Sequence, residues 1–181
     1  ELKYNGDAFI GAARLLSQRD PSIQFVVPMA GERQRDYFAR QLAEAKMEAV
    51  PLRVIEGQSH RVIEAADAVL VASGTATLEV ALFKKPMVIG YRLMRATWEI
   101  AKRVVTPPVG LPNILAREMI VPEFYQNDST PEKLAEAVWR QLHDEPLRKE
   151  LHERFSLMHE SLLRDTAALS AQAVLDVMNG K

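Results

Sequence analysis

The chain has no cysteine. That excludes disulfide staples and thiolate-ligated metals, and it leaves nothing against a reducing compartment. An excess of charge of one sign is missing too. Lys and Arg number 23 against 24 Asp and Glu, a formal net charge of −1. With no strong global field, no nucleic-acid partner is expected. No apolar run approaches the roughly 18–20 residues of a membrane span. Internal repeats and low-complexity tracts are absent, as are the Gly-x-Ser-x-Gly, Walker A and Gly-x-Gly-x-x-Gly motifs. His60, His143, His152 and His159 have no metal-ligand spacing, so no metal site is expected. The sequence also offers no paired carboxylates as an evident general base. What remains is 48% hydrophobic and 26% charged over 181 residues, enough for one globular domain with a full core.

Apolar spacing predicts helices and strands in alternation. A helix over 5–19 is followed by the turn Asp20-Pro21-Ser22 and a buried strand, Ile23–Pro28. A helix over Gly31–Met47 precedes a strand at Leu52–Glu56, and a helix over Ser59–Ala66 precedes a strand at Ala68–Ala72. A helix over Gly74–Phe83 precedes a strand at Met87–Tyr91. Such alternation with short connections predicts an α/β fold, a Rossmann-like, doubly wound parallel sheet with flanking helices. Further on, a helix is expected over Met94–Val105, then a Pro-rich loop over Thr106–Asn113 and a short edge strand at Ile120–Pro122. A helical C-terminal tail follows: Thr130–His143 with Pro131 under a Thr130 cap, Pro146–Leu163, and Thr166–Met178. In the second of these, Leu147, Leu151, Phe155, Met158 and Leu162 form the inward stripe. The chain starts on a helix where alternating units start on a strand, so its first strand is expected to be missing. With Glu1 in place of Met, a processed or excised piece is expected.

The segment Ser73-Gly74-Thr75-Ala76-Thr77-Leu78-Glu79 carries the most chemistry. A strand, a small polar turn and a helix start present free N–H groups and a positive dipole end to an anion. Ordinary helix capping is the competing reading. A capping partner for Glu79 would stand three residues earlier, but that residue is Ala76, a poor cap. Thr75 and Glu79 lie about 6 Å apart on one helix face, so a diphosphate at the turn leaves a ribose diol near Glu79. Gly57-Gln58-Ser59-His60 ends the preceding strand. Its backbone can read a base edge, or Ser59 can simply cap a helix. Pro28-Met29-Ala30-Gly31 is a small-residue loop that either admits a ligand or merely turns. Arg92 and Arg95 follow a strand end and read either as a phosphate clamp or membrane-facing basic patch, or as one side of a solvated amphipathic helix. Asn113 can donate to a sugar or phosphate oxygen or can serve a turn.

Three ordered blocks, Ala66–Glu79, Lys85–Arg92 and Leu111–Ala116, resemble the lipid-A-disaccharide synthase family with matching gaps. The resemblance covers essentially the whole chain, as the C-terminal half of that enzyme. It implies a GT-B glycosyltransferase that moves 2,3-diacylglucosamine from UDP-2,3-diacylglucosamine onto lipid X through a β-1,6 link, releasing UDP. It implies no cofactor, no metal in the transfer step, and a peripheral place on the cytoplasmic face of the bacterial inner membrane, or in the cytoplasm. Residues 1–128 then form the donor-binding domain, and residues 129–181 are helices that pack across domains or subunits, with a homo-oligomer as one outcome.

Carried over by position, Ser73, Gly74, Thr75, Ala76 and Thr77 match the family's diphosphate-binding helix start and Glu79 its ribose carboxylate. Gly57, Gln58 and Ser59 fall where related enzymes read uracil, and Asn113 falls in a loop bordering the active site. The family's acceptor domain, its Pro-Gly-Ser-Arg turn and its catalytic carboxylate have no counterpart here, so no catalytic residue is expected in this chain. Two alternatives stand beside this reading. One is another UDP-sugar enzyme, an epimerase or a peptidoglycan N-acetylglucosaminyltransferase relative, against which the Leu-Pro-Asn block argues. The other is a non-catalytic membrane- or partner-binding module.

Overall fold

The computed structural model describes residues 2–47, 50–72, 74–94, 98 and 108–179. Helix α1 (Leu2–Arg19) leads to strand β1 (Phe25–Met29), α2 (Glu32–Glu44), β2 (Leu52–Glu56), α3 (Ser59–Ala65), β3 (Val69–Val71), α4 (Thr75–Leu82) and β4 (Met87–Tyr91). Then come α5 (Leu111–Ala116), β5 (Glu123–Tyr125), a 3₁₀ turn (Gln126–Asp128), α6 (Pro131–His143), α7 (Glu145–Leu162) and α8 (Thr166–Met178). The chain begins on a helix, as expected, and that helix already includes Leu2-Lys3-Tyr4.

Every strand pair is parallel. β1 pairs with β2 from Phe25↔Leu52 to Met29↔Glu56. β4 lies between β3 and β5, with Val69↔Met87 and Ile89↔Glu123 in register. Parallel neighbours need crossover connections, and α2 and α4 supply them. Among the described residues the strands form two sheets, β1-β2 and β3-β4-β5, rather than the single sheet expected. Among the described residues, β1 and β3 each keep one edge without a strand partner.

β4 explains most of the core. Met87, Val88 and Ile89 are all buried, the near-continuous apolar run of a parallel strand covered on both faces. Successive side chains point to opposite faces. Val88 therefore meets Ala8, Ala12 and Leu16 of α1 and Leu134 and Val138 of α6. Met87 and Ile89 meet Val80, Leu151 and Phe155 on the other side. A third cluster joins Ile10 and Ala13 of α1 to Met29 and Phe38. α6 and α7 are thus built into the same cores as the strands. α8 is different: Leu169, Val174, Leu175 and Val177 are exposed along it.

Three expectations are corrected. Leu111–Asn113 does not end a loop but opens α5, with Pro112 near the helix start where its missing N–H costs nothing. The edge strand is not Ile120–Pro122 but β5, because the Asn113 side chain binds the N–H groups of Ile120 and Val121 and delays pairing. Leu162 leaves the α7 stripe and is exposed, since the helix ends there beyond the core. The expected Met94–Val105 helix lies largely outside the described residues; within it, the Trp98 N–H donates to the Met94 carbonyl at 2.9 Å.

Candidate nucleotide site

The C-terminal ends of parallel strands open where helices begin, and their loops gather at one end of each sheet. The Gly57 N–H donates to the Met29 carbonyl at 2.8 Å, which ties the end of β2 to the Pro28–Gly31 loop. Gly57 and Gln58 both take left-handed backbone angles, φ 61° and 57°. Gly57 does so freely; Gln58 does so at a cost of roughly 1–2 kcal/mol. This places Gln58, not Ser59, at the N-cap of α3, and no side chain caps that helix. Ser59 is therefore not the cap that ordinary turn logic expects. Gly57, Gln58 and Ser59 are all exposed, and the Gln58 Oε1 accepts from the Arg61 guanidinium at 3.2 Å.

At the end of β3, Gly74 is the N-cap of α4 with φ 137° and ψ −165°, a conformation that L side chains rarely adopt. A Cβ there would meet nothing within 4 Å, so backbone freedom, not crowding, requires the glycine. Gly74, Thr75 and Ala76 are exposed. Thr77 is 0% exposed. Its hydroxyl donates to the Gly74 carbonyl at 2.7 Å and accepts from the Leu111 N–H at 3.3 Å. Its own N–H goes to the Gly74 carbonyl at 3.1 Å. Thr77 thus braces the turn from behind, and the N–H groups facing outward belong to Gly74, Thr75 and Ala76. Ser73 lies outside the described residues.

Glu79 stands in the second turn of α4, past the position where a carboxylate could complete a cap on Gly74. Its side chain is part-exposed, and its Oε2 lies 3.4 Å from the His60 Nε2. His60 also leans on Phe83, with ring centroids 5.6 Å apart. This contact joins the first turn of α3, after β2, to α4, after β3, and so links the ends of the two sheets. The sequence places His60 beside the Gly57–Ser59 turn, but nothing in its spacing marks it as the partner of Glu79.

Two expected ligand contacts are occupied otherwise. The Arg92 Nε donates to the Gln126 carbonyl at 3.1 Å and its Nη2 to the Ser129 carbonyl at 2.6 Å. Its backbone N–H donates to the Asn5 Oδ1 at 2.7 Å. Arg92 is a staple between β4, α1 and the 3₁₀ turn, not an open clamp. Asn113 is fully buried. Its amide donates to the Val121 carbonyl at 2.9 Å and to the Glu123 Oε1 at 2.6 Å, while its Oδ1 accepts from Ile120 and Val121. It faces inward, away from any sugar. Arg95 lies outside the described residues.

One residue escaped sequence reasoning. The Glu123 carboxylate accepts from the N–H groups of Val109 and Gly110, each at 3.0 Å, just before α5. A lone acid between Pro122 and Phe124 was its only sequence signal. Among the described residues no group of three His, Asp or Glu side chains is placed to hold a metal ion. No helix there is long and apolar enough to cross a membrane.

The arrangement can hold a dianionic or diphosphate group at the start of α4, a diol at Glu79 and a planar base over Gly57-Gln58. Comparisons with known proteins extend over nearly the whole chain. A family model described as lipid-A-disaccharide synthetase matches residues 1–177. The chain is 46% identical over 180 residues to a protein of Azoarcus sp. (strain BH72) named lipid-A-disaccharide synthase, covering 99% of this chain and 46% of that protein. It is 46% identical over 196 residues to a Bordetella avium (strain 197N) protein of the same name, covering 99% and 49%. A Chromobacterium violaceum protein of that name is 43% identical over 178 residues, covering 98% and 46%. The chain therefore spans about half the length of the curated relatives it matches.

Proposed function

This chain belongs to the lipid-A-disaccharide synthetase family, and on that premise we propose that it is the UDP-sugar-binding half of a glycosyltransferase of lipid A synthesis. The observation that carries the reading is the His60–Glu79 contact, which sets a carboxylate beside both the Gly74 turn and the left-handed Gly57-Gln58 loop. In this reading the N–H groups of Gly74, Thr75 and Ala76, with Ser73, hold the diphosphate. Glu79 accepts from the ribose hydroxyls. The backbone at Gly57, Gln58 and Ser59 meets the uracil. Thr77 supports the turn, Asn113 and Arg92 hold the loops that border it, and Arg95 reaches the phosphates.

The donor is UDP-2,3-diacylglucosamine and the acceptor lipid X. The acceptor 6-hydroxyl oxygen attacks the anomeric carbon, the bond from that carbon to the UDP oxygen breaks, and the hydroxyl proton passes to a base. The N–H groups at α4 stabilise charge on the departing diphosphate, and losing one such oriented donor costs about 10²–10³ in rate. No metal is required in the transfer. On this proposal the base and the acceptor site are supplied from outside these residues. Peripheral contact with the cytoplasmic face of the inner membrane, and pairing of copies through the C-terminal helices, belong to the same proposal.

Calorimetric titration with UDP tests it. UDP is expected to bind the folded chain, and Glu79→Ala to weaken it by about 1–3 kcal/mol through lost charge-assisted hydrogen bonds. A folded chain without UDP affinity would overturn the nucleotide reading. The purified chain alone is expected to make no disaccharide, and turnover by it would refute the placement of the base elsewhere.

A further inference from the structure

Asp67 leads into β3 and Pro86 into β4, at the end of their sheet opposite the Gly74 turn. That end opens onto a groove of about 730 Å³, walled on one side by the Lys84–Pro86 turn and on the other by the close of α6 and the start of α7. Four cations line it, Lys84, Lys85, Arg148 and Lys149, against two carboxylates, Asp67 and Glu145. The whole chain carries a formal net charge of −1, so this excess of positive charge is local.

Backbone geometry fixes the first pair. α4 stops with the Lys84 N–H donating to the Ala81 carbonyl at 2.9 Å and the Lys85 N–H to the Val80 carbonyl at 3.2 Å. Such a stop puts one residue in the left-handed region, where glycine is usual. Here that residue is Lys84, with φ 56°. Both lysines are half-buried, and buried Pro86 anchors the turn behind them. The Lys84 Nζ lies 2.7 Å from the His159 Nδ1; an ammonium only donates, so its partner is an imidazole nitrogen and not an acid. Among the described residues none of the four cations forms an ion pair with a carboxylate. Arg154, farther along α7, bonds both Glu150 and Glu118 at 2.8 Å. The close of α6 explains part of Arg148, whose Nη1 donates to the Leu142 carbonyl at 3.2 Å. It does not explain Lys149, which is exposed just past the first turn of α7, at a helix end that itself favours anions.

We propose that this groove is a second anion site, taking a soluble ligand with two or more phosphate groups between Lys84 and Lys85 on one wall and Arg148 and Lys149 on the other. The local charge balance calls for an anion of at least two negative charges. The volume exceeds what a single ion fills and lies in the range of small-molecule pockets, about 300–1,000 Å³. The guanidinium of Arg148 has N–H donors beyond the one given to Leu142, and the lysines add point charges, the donor set that phosphate oxygens accept from. The surface is concave, whereas a bilayer presents its headgroups as a plane. The site sits at the far end of the sheet and does not depend on the nucleotide reading.

The probe is inorganic tripolyphosphate, titrated into the 181-residue chain at constant ionic strength and followed by amide shifts in NMR spectra. Saturable shifts are expected at Lys84, Lys85 and Lys149. Replacing two donors in Lys85→Gln/Lys149→Gln is expected to weaken the groove response by at least about tenfold and to leave that of Gly74, Thr75 and Ala76 unchanged. Lys149→Glu, at an exposed helix position that the fold does not need, is expected to weaken it by at least about threefold on its own. Phosphatidylglycerol vesicles are expected not to displace the probe. Shifts confined to Gly74, Thr75 and Ala76 would overturn the second site and leave the nucleotide reading standing. Equal shifts with sodium chloride at matched ionic strength, or an unchanged affinity in both variants, would reduce the groove to an unselective patch of charge and overturn the proposal. Displacement by the vesicles would overturn it in favour of a membrane contact.

Discussion

Asn113 sits in a Leu-Pro-Asn block that reads as a turn, but its amide is turned wholly inward. It holds the 120–121 backbone and the Glu123 carboxylate at once. Truncation would strand two backbone donors and the Val121 carbonyl. Asn113→Ala is therefore expected to destabilise the chain by about 3 kcal/mol, read as a lower urea midpoint at unchanged slope. Gly110 shares this cluster: a Cβ there would press against the Ile89 Cδ1 and lie 2.6 Å from the Glu123 Oε1. Gly110→Ala is expected to destabilise by roughly 1–3 kcal/mol through overpacking, measured in the same way. The residue type of Asn113 was legible from the sequence. Its direction was not, because both faces of a Pro-Asn turn look alike until β5 is in place.

At the scale of elements, the Thr130 cap was legible. Thr130 followed by Pro131 marks the start of α6, and the Thr130 Oγ1 accepts from the Lys133 N–H at 3.3 Å. Thr130→Ala is expected to cost about 1 kcal/mol in thermal or urea unfolding. Asp144 does the same for α7: its Oδ1 accepts from the Leu147 N–H at 3.0 Å. That N–H, with Arg140 beside it, holds the Asp144 carboxyl below its ordinary value. A carboxyl with a lowered folded-state pKa contributes stability that is fully present above its unfolded pKa, near 4. The contribution is lost as pH falls through the lower folded value. Asp144→Asn keeps the cap but does not titrate, so its melting temperature is expected to fall less steeply than that of the parent chain below about pH 4. Element bounds in β2, β4 and α8 followed directly from apolar runs and flanking Pro, Gly and Asn. β5 and α5 did not, because a three-residue strand and a six-residue helix carry too little periodicity to be read alone.

At the scale of the whole molecule, the two sheets meet through α1 and α3 and through one His60–Glu79 contact at the candidate site. A nucleotide bridging Gly57-Gln58 and α4 would add a second link. UDP at about 100 times its dissociation constant is then expected to stabilise the chain by about 2.7 kcal/mol, seen as a raised unfolding midpoint. A smaller shift in the Glu79→Ala chain at the same UDP concentration would assign the link to the same helix. α8, apolar but exposed, takes no part in this coupling.

The sequence by itself determined the parallel α/β class, the strand of β4, the capped helices, the Gly74 turn and the family, because these depend on local periodicity, turn chemistry and ordered blocks. Tertiary structure alone decided that Arg92 and Asn113 brace loops instead of facing ligand, that Thr77 points inward, and that His60 reaches Glu79. Among the described residues, it alone divided the strands between two sheets. Those outcomes depend on which faces the helices cover and which backbone groups remain to be paired, and neither is written in the order of residues along one segment.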